Sequence, residues 1–335
     1  MSMQPGKRLY LAPMAEITTP ALRRIIKEFC GEVVLFSEML NAGSVVSGAS
    51  HNEPLITRHE FDTPYIYQIV GNRPDLMSEA ARILSDRNKC AININMGCAA
   101  PEIMKKGCGA GLLGDMDLAR EIVRACRKSC DTELSVKMRC GYNSNDEALL
   151  LSFAKMLEHE GVDAIMLHPR HARLSFKRTA DWRLVKLLKQ HISIPVIGNG
   201  DIISPETAVS RQEMSGCNGI MIGRAAVQMP WIFRLCAYLL DREEGELTVD
   251  LQDVFTKVID LIREYLPVNL HKSRFHRFCF YYTKNVTFSH TLFSSIRRTG
   301  DPEEIKTLVN DYFERNGGEK IKKYIVTQGK IYINK

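Results

Sequence analysis

A thiol, two alternating cations, an imidazole and a set of amides carry the chemistry legible in this chain. Cys98 stands in INMGCAAPEIMKKGCGAGLLGD (94–115), Lys137 and Arg139 in VKMR (136–139), and His168 and Arg170 in LHPR (167–170). A thiol with a pKa of roughly 8.5 is mostly protonated at neutral pH and can give a proton. A metal role for Cys98 is disfavoured, because Cys108 is the only neighbouring cysteine and no histidine lies between His59 and His159. No metal site is therefore expected. Cys108, between Gly107 and Gly109, reads as a packing residue, and Cys126 and Cys130, one helical turn apart, as core positions. Lys137 and Arg139 share one face of a strand, and two inward cations need anions. NGDI (199–202) and IGRA (222–225) set glycines beside Arg224. Such a pattern holds phosphate on exposed backbone N–H groups and points to a phosphorylated cofactor.

These residues need strands to aim them. Apolar β-rich runs recur at 9–14, 33–39, 65–70, 90–97, 134–141, 164–170, 195–201 and 219–225. Segments with helical apolar spacing separate them, clearest at 74–86, 117–130, 147–161 and 204–216 and least convincing in the second interval. Strict alternation with continuously apolar strands predicts a parallel sheet, and eight units in about 250 residues predict a closed (β/α)8 TIM barrel. In that fold active sites collect where strands end. Pro13 and Met14, Glu38, Gln68, Asn95 and Cys98, Lys137 and Arg139, His168 and Arg170, Asn199 and Asp201, and Arg224 occupy those ends in turn. One such residue would be read as a salt bridge or loop cap; the whole series reads as a site.

From Glu246 onward the alternation stops. Helical spacing at 251–266, 269–300 and 302–316 predicts a small all-helical domain, giving a barrel over 1–245 and a helical domain over 246–335. Of the 45 Lys+Arg and 39 Asp+Glu, 15 and 11 fall after position 245. Between Asn269 and Gly300 there are six Lys/Arg and seven Phe/Tyr but no acid. Most of those aromatics are expected to pack inside, while Lys272, Arg274 and Arg277 suit a phosphate backbone. The tail 319–335 is basic and β-prone and reads as an RNA-touching arm or a solvated terminus. With 45% hydrophobic and 25% charged residues, a disordered or fibrous chain is excluded. No run of eighteen apolar residues and no signal-like start is found, so a cytoplasmic protein without membrane contact is expected. The ten cysteines form no CxxC pair, and a monomer is expected.

The series LAPMAEIT (11–18), SEM (37–39), QIVG (68–71), NMGCAAPEIMKKGCGAGLL (95–113), VKMR, LHPR with ADW (180–182), VIGNGDI and MIGRAAVQMPWIF (221–233) resembles the dihydrouridine synthases. That resemblance implies an FMN-containing barrel that reduces uridines in tRNA with NADPH, ribosomal RNA remaining open as substrate. It implies that Cys98 protonates C5 of the base after hydride reaches C6. It assigns flavin contacts to Pro13, Met14, Ala15, Gln68, Lys137 and His168, and the phosphate and ribityl chain to Asn199, Gly200, Asp201, Gly223 and Arg224. Asn95, Arg139 and Arg170 would face the substrate base. Departures from the family pattern are Ala99 for proline, Glu16 for glycine, Thr19 for aspartate, and Phe176 and Arg178 for tyrosine and glycine. Two other functions fit parts of the pattern: an FMN barrel oxidoreductase acting on a small molecule, and an RNA-binding relative without catalysis.

Overall fold

The computed structural model describes residues 9–143, 146–174 and 179–334; Phe176 and Arg178 lie outside them. Eight strands occupy the expected runs: β1 (Leu9–Leu11), β2 (Leu35–Asn41), β3 (Tyr65–Val70), β4 (Ala91–Met96), β5 (Leu134–Arg139), β6 (Ala164–His168), β7 (Val196–Asn199) and β8 (Gly219–Ile222). All neighbours pair in parallel, in the order β1-β8-β7-β6-β5-β4-β3-β2. The ring closes where Leu11 N–H donates to Val34 O and Val34 N–H to Leu9 O, each at 3.0 Å. A closed parallel barrel is therefore present.

Local signals explain the connecting helices. Met116–Ser129 and Glu147–His159 are capped by Asp115 and Asp146, which accept from the N–H groups of Leu118 and Leu149. Pro74 opens Pro74–Asn88, where its missing N–H costs nothing. The second interval holds only the short helices Ala42–Val46 and Glu53–Ile56, matching its weak periodicity.

By contact density the chain divides into two compact units. The first comprises the described residues of Met1–Pro13, Val34–Ile202 and Ser210–Ile222 and holds all eight barrel strands; the second comprises Met14–Val33, Ile203–Val209 and Gly223–Lys335. Inside the barrel, Tyr10, Val34, Phe36, Ile66, Ala164, Met166, Ile197 and Met221 form a buried apolar cluster. Further along the same strands the inward positions turn polar, at Gln68, Asn93, Asn95, Ser135 and Lys137, and end on Arg139 and His168.

The second unit is predominantly helical, with Leu251–Tyr265, Val268–Tyr282, Ser289–Ile296 and Pro302–Arg315 among its helices. Phe275, Phe278 and Tyr282 are buried; Phe255 lies 5.7 Å from both Phe278 and Tyr282 by ring centroids. The long basic stretch is two helices rather than one. Asn285 Nδ2 donates to Tyr282 O (3.0 Å) and Gln228 O (2.6 Å), and Val286 turns extended, which ends the first helix.

The expected all-helical C-terminal domain needs one addition. β9 (Gly245–Asp250), β10 (Ile321–Thr327) and β11 (Lys330–Asn334) form a three-stranded antiparallel sheet. Its hairpin turns at Gln328 and Gly329, both with positive φ (50° and 70°), the backbone that two-residue hairpins require. Tyr324 and Val326 are buried, with Tyr324 near Trp231. The tail is thus a packed hairpin, because alternate residues of the β-prone run have an apolar surface to cover.

Candidate active site

At the C-terminal ends of β3 to β7 the expected residues of the first unit converge. The register sets Asn95 opposite Lys137 and Arg139 opposite His168 on adjacent strands. Lys137 is half-buried, and no carboxylate among the described residues pairs with it. Burial first, and then the Arg139 charge, push its pKa down to about 8. Arg139 is buried and lies near Gly97 O (3.1 Å from Nε) and His171 O (3.2 Å from Nη1), accepting carbonyls rather than a carboxylate. Burial and the Arg170 charge lower its pKa as well.

His168 and Arg170 are oriented by their surroundings. Arg170 Nη1 approaches His168 Nε2 at 3.3 Å. A guanidinium can only donate, so Nε2 accepts and the imidazole proton belongs on Nδ1. Arg170 Nη2 also donates to both oxygens of Asp201 (2.7 and 2.6 Å), and Asp201 accepts the Ala180 N–H (2.7 Å). Trp182 Nε1 donates to Gly200 O at 3.0 Å, and a Cβ on Gly198 would sit 2.2 Å from the Trp182 ring. The ADW and NGD motifs therefore lock each other. Gly200, at φ +116°, leaves the space where a Cβ would meet the His168 ring at 2.7 Å. Asn199 is committed to Met221 O (2.8 Å) and ties β7 to β8.

Cys98 is held from two sides. Its N–H donates to Asn95 Oδ1 at 2.8 Å, and its carbonyl accepts from Ala110 N–H at 2.9 Å. Gly109, at φ +58°, permits the second contact, since a Cβ there would lie 2.8 Å from Cys98 O. The loop is fixed without a proline at position 99. Nine of the ten cysteines are buried and all are free; Cys98 alone keeps partial solvent access. Cys108 is buried, as its glycine neighbours suggest.

Gln68 and Asn95 bond to each other, and two residues not singled out in the sequence, Asn93 and Ser135, continue the same network. The signal for Asn93 was present: it shares a strand face with Asn95.

Pro13 ends the first unit's opening segment, half-buried. Met14, Ala15, Gly223 and Arg224 belong to the second unit: Met14 accepts the N–H groups of Ile17 and Thr18 in a turn, and Gly223 precedes the short helix Arg224–Gln228, with Arg224 exposed. Glu16 sits inside the Met14 turn at φ +63°, the conformation that favours the family's glycine. It pairs with Arg274 (3.7 Å) and with Arg277. Arg274 is buried and Arg277 exposed; Lys272 is exposed. Arg274 is consequently an interior ion-pair partner of Glu16. Thr19 caps Pro20–Phe29 through Leu22 N–H, a role the family's aspartate could equally fill.

A closed parallel barrel with a thiol, an oriented imidazole and, among the described residues, two cations without a carboxylate partner at its strand ends defines a protein of the (β/α)8 class with its polar site where such barrels carry their chemistry. Solved structures of the same fold include a 2-naphthoyl-CoA reductase complex (12% identical, TM-score 0.53, covering 70% of this chain and 50% of that one). An amine oxidase from Pseudomonas geniculata N1 is similar at 14% identity and TM-score 0.54, over 71% and 49% of the two chains. The chain spans about half the length of those proteins. The family model for dihydrouridine synthase (Dus) matches residues 10–310, and the chain belongs to that family. Among relatives, tRNA-dihydrouridine synthase B of Pasteurella multocida is 33% identical over 263 residues, 78% of this chain and 79% of its own. A probable tRNA-dihydrouridine synthase of Rickettsia prowazekii is 26% identical over 315 residues, covering 93% and 96%. No helix among the described residues is long and apolar enough to cross a membrane.

Proposed function

We propose that this protein reduces the C5=C6 bond of particular uridines in tRNA, with FMN bound at the strand ends of the barrel and NADPH as the source of reducing equivalents. The observation that supports this reading best is Lys137, a cation in the barrel mouth that the described residues leave without a carboxylate. A flavin fits it, because the N1–C2 edge carries negative charge when reduced. FMN, when bound, supplies hydride to C6 of uracil. Lys137 would hold the negative charge of the reduced ring, with His168 beside it. Arg139, with two of five N–H groups committed, has three for the charge that develops toward C5 and O4. Cys98 gives its thiol proton to C5, so that hydride and proton together saturate the double bond, and the thiolate regains a proton from solvent. Asn95 Nδ2 also approaches Met39 Sδ (3.4 Å), a weak acceptor that a uracil carbonyl can replace. The same roles are proposed for Pro13, Met14, Ala15, Gln68, Asn199, Gly200, Gly223 and Arg224 toward the cofactor. Asp201 is proposed there too, and it also holds Arg170.

The tRNA assignment draws on the names of the relatives and on charge. In the segment from Asn269 to Gly300, which lacks acids, Lys272, Arg277, Lys284, Arg297 and Arg298 are exposed, and Lys284 sits over the rings of Phe280 (4.6 Å) and Tyr281 (5.3 Å). Such a face suits phosphate contacts whose strength falls steeply with salt. We assign residues 1–245 to catalysis and 246–335 to RNA binding.

Nucleoside mass spectrometry of tRNA and ribosomal RNA from cells with and without this protein tests the reading. Dihydrouridine is expected to disappear from defined tRNA positions, and to return with the wild-type chain. The Cys98→Ala chain should retain flavin and NADPH oxidation but restore less than about 1% of wild-type turnover. An unchanged dihydrouridine map would overturn the assignment, and full restoration by Cys98→Ala would remove the thiol from the proton-transfer step.

A further inference from the structure

Beneath the charged rim, one row of side-chain hydrogen bonds runs in a single direction across β4, β3 and β5. Cys98 N–H (2.8 Å) and Gly97 N–H (3.0 Å) donate to Asn95 Oδ1, and Asn95 Nδ2 donates to Gln68 Oε1 (2.8 Å). Gln68 Nε2 donates to Asn93 Oδ1 (2.8 Å), Asn93 Nδ2 to Ser135 Oγ (2.8 Å), and Ser135 Oγ to Ile92 O (3.3 Å). The parallel register makes this possible by placing Gln68 opposite Asn93 and Asn93 opposite Ser135. Asn93 and Ser135 are 0% exposed, Gln68 1% and Asn95 7%. In so dry a setting an amide that turned alone would strand both a donor and an acceptor, and each link polarises the next. The orientation of Asn95 is therefore dictated from Ser135 on the adjacent strand, through Gln68 and Asn93.

We propose that Asn93 and Ser135 are positioning residues for Cys98. They fix the Asn95 amide, and through it the backbone turn that presents the thiol. The inference rests on the reading of Cys98 as proton donor. Because Ala110 N–H still holds the Cys98 carbonyl, loss of the row loosens the thiol without releasing the loop.

The test compares wild type, Ser135→Ala and Asn93→Leu as flavin-loaded proteins. Dihydrouridine kcat should fall about ten- to a hundred-fold, while KM for tRNA and the rate of flavin reduction by NADPH stay within about two-fold. Iodoacetamide labelling of the native protein, read by peptide mass spectrometry, reports on Cys98 because the other nine cysteines are buried. Labelling should rise several-fold in both variants. Wild-type kcat and labelling in both, or equal losses in kcat, KM and flavin reduction, would overturn the proposal. Should Asn93→Leu not fold, Ser135→Ala alone decides. If the wild-type protein makes no dihydrouridine, the functional reading fails, and the labelling comparison still tests the row.

Discussion

Two pairs of cations, Lys137 with Arg139 and Arg274 with Arg277, are both read from the sequence as sites for an anion, yet the protein surrounds them differently. In the second unit Glu16 supplies a carboxylate to both arginines, although its own backbone takes the left-handed conformation to do so. In the barrel the described residues supply none to Lys137 or Arg139, and burial lowers the pKa of each. A buried charge is costly unless paired. Where the cation is buried with its partner, as Arg274 is with Glu16, it is part of the fold, whereas Arg277 is exposed beside the same carboxylate and we propose it for RNA. Lys137 and Arg139, without a carboxylate among the described residues, we propose to serve a ligand. Composition alone cannot separate the two cases.

The contrast can be tested on both sides. Lys137→Met should reduce dihydrouridine formation about a hundred- to a thousand-fold in steady-state assays, since it removes the cation proposed to face the charged edge of the flavin. Arg277→Gln should raise KM for tRNA and leave kcat in place. Glu16→Gly relieves a left-handed residue worth about 1–2 kcal/mol but strips Arg274 of its partner, a loss of about 3–5 kcal/mol when fully buried. Glu16 is partly exposed, so the net expectation is destabilisation by about 1–3 kcal/mol in denaturant unfolding, with flavin affinity unchanged in the folded protein. A more stable Glu16→Gly protein would show that the pairing is incidental. Asp201→Asn removes the charge that holds Arg170 and should cost about ten-fold in turnover with normal flavin content.

Much of the barrel was legible because its strands are apolar runs whose ends carry the chemistry. The site's rim was legible for the same reason: Lys137, Arg139 and His168 are charged or titratable residues interrupting such runs. Asn93 and Ser135 were not singled out, because a polar residue inside a strand announces nothing until the neighbouring strand's register is known. The ion pairs of Glu16 join positions far apart in the chain, which no local pattern records. The sheet of β9, β10 and β11 was overlooked since its pairing is equally distant and strong helical periodicity lies between its strands. Asp201 reads as a cofactor contact from the NGD motif, and the sequence does not show that its oxygens also accept from Arg170 and the Ala180 N–H, since those partners lie 31 and 21 residues away.

The most direct measurement is the affinity of the flavin-free protein for reduced FMN, titrated anaerobically from pH 7 to 10 in wild type and Lys137→Met. In the free protein Lys137 titrates at about 8, and an anionic flavin raises that value. Binding then takes up a proton above pH 8, so wild-type affinity should be flat below pH 8 and fall towards ten-fold per pH unit above it. Lys137→Met should bind more weakly and without that slope. Equal affinities at pH 7 with the same pH profile would contradict the account, because the cation that the chain leaves unpaired would then have no anion to serve.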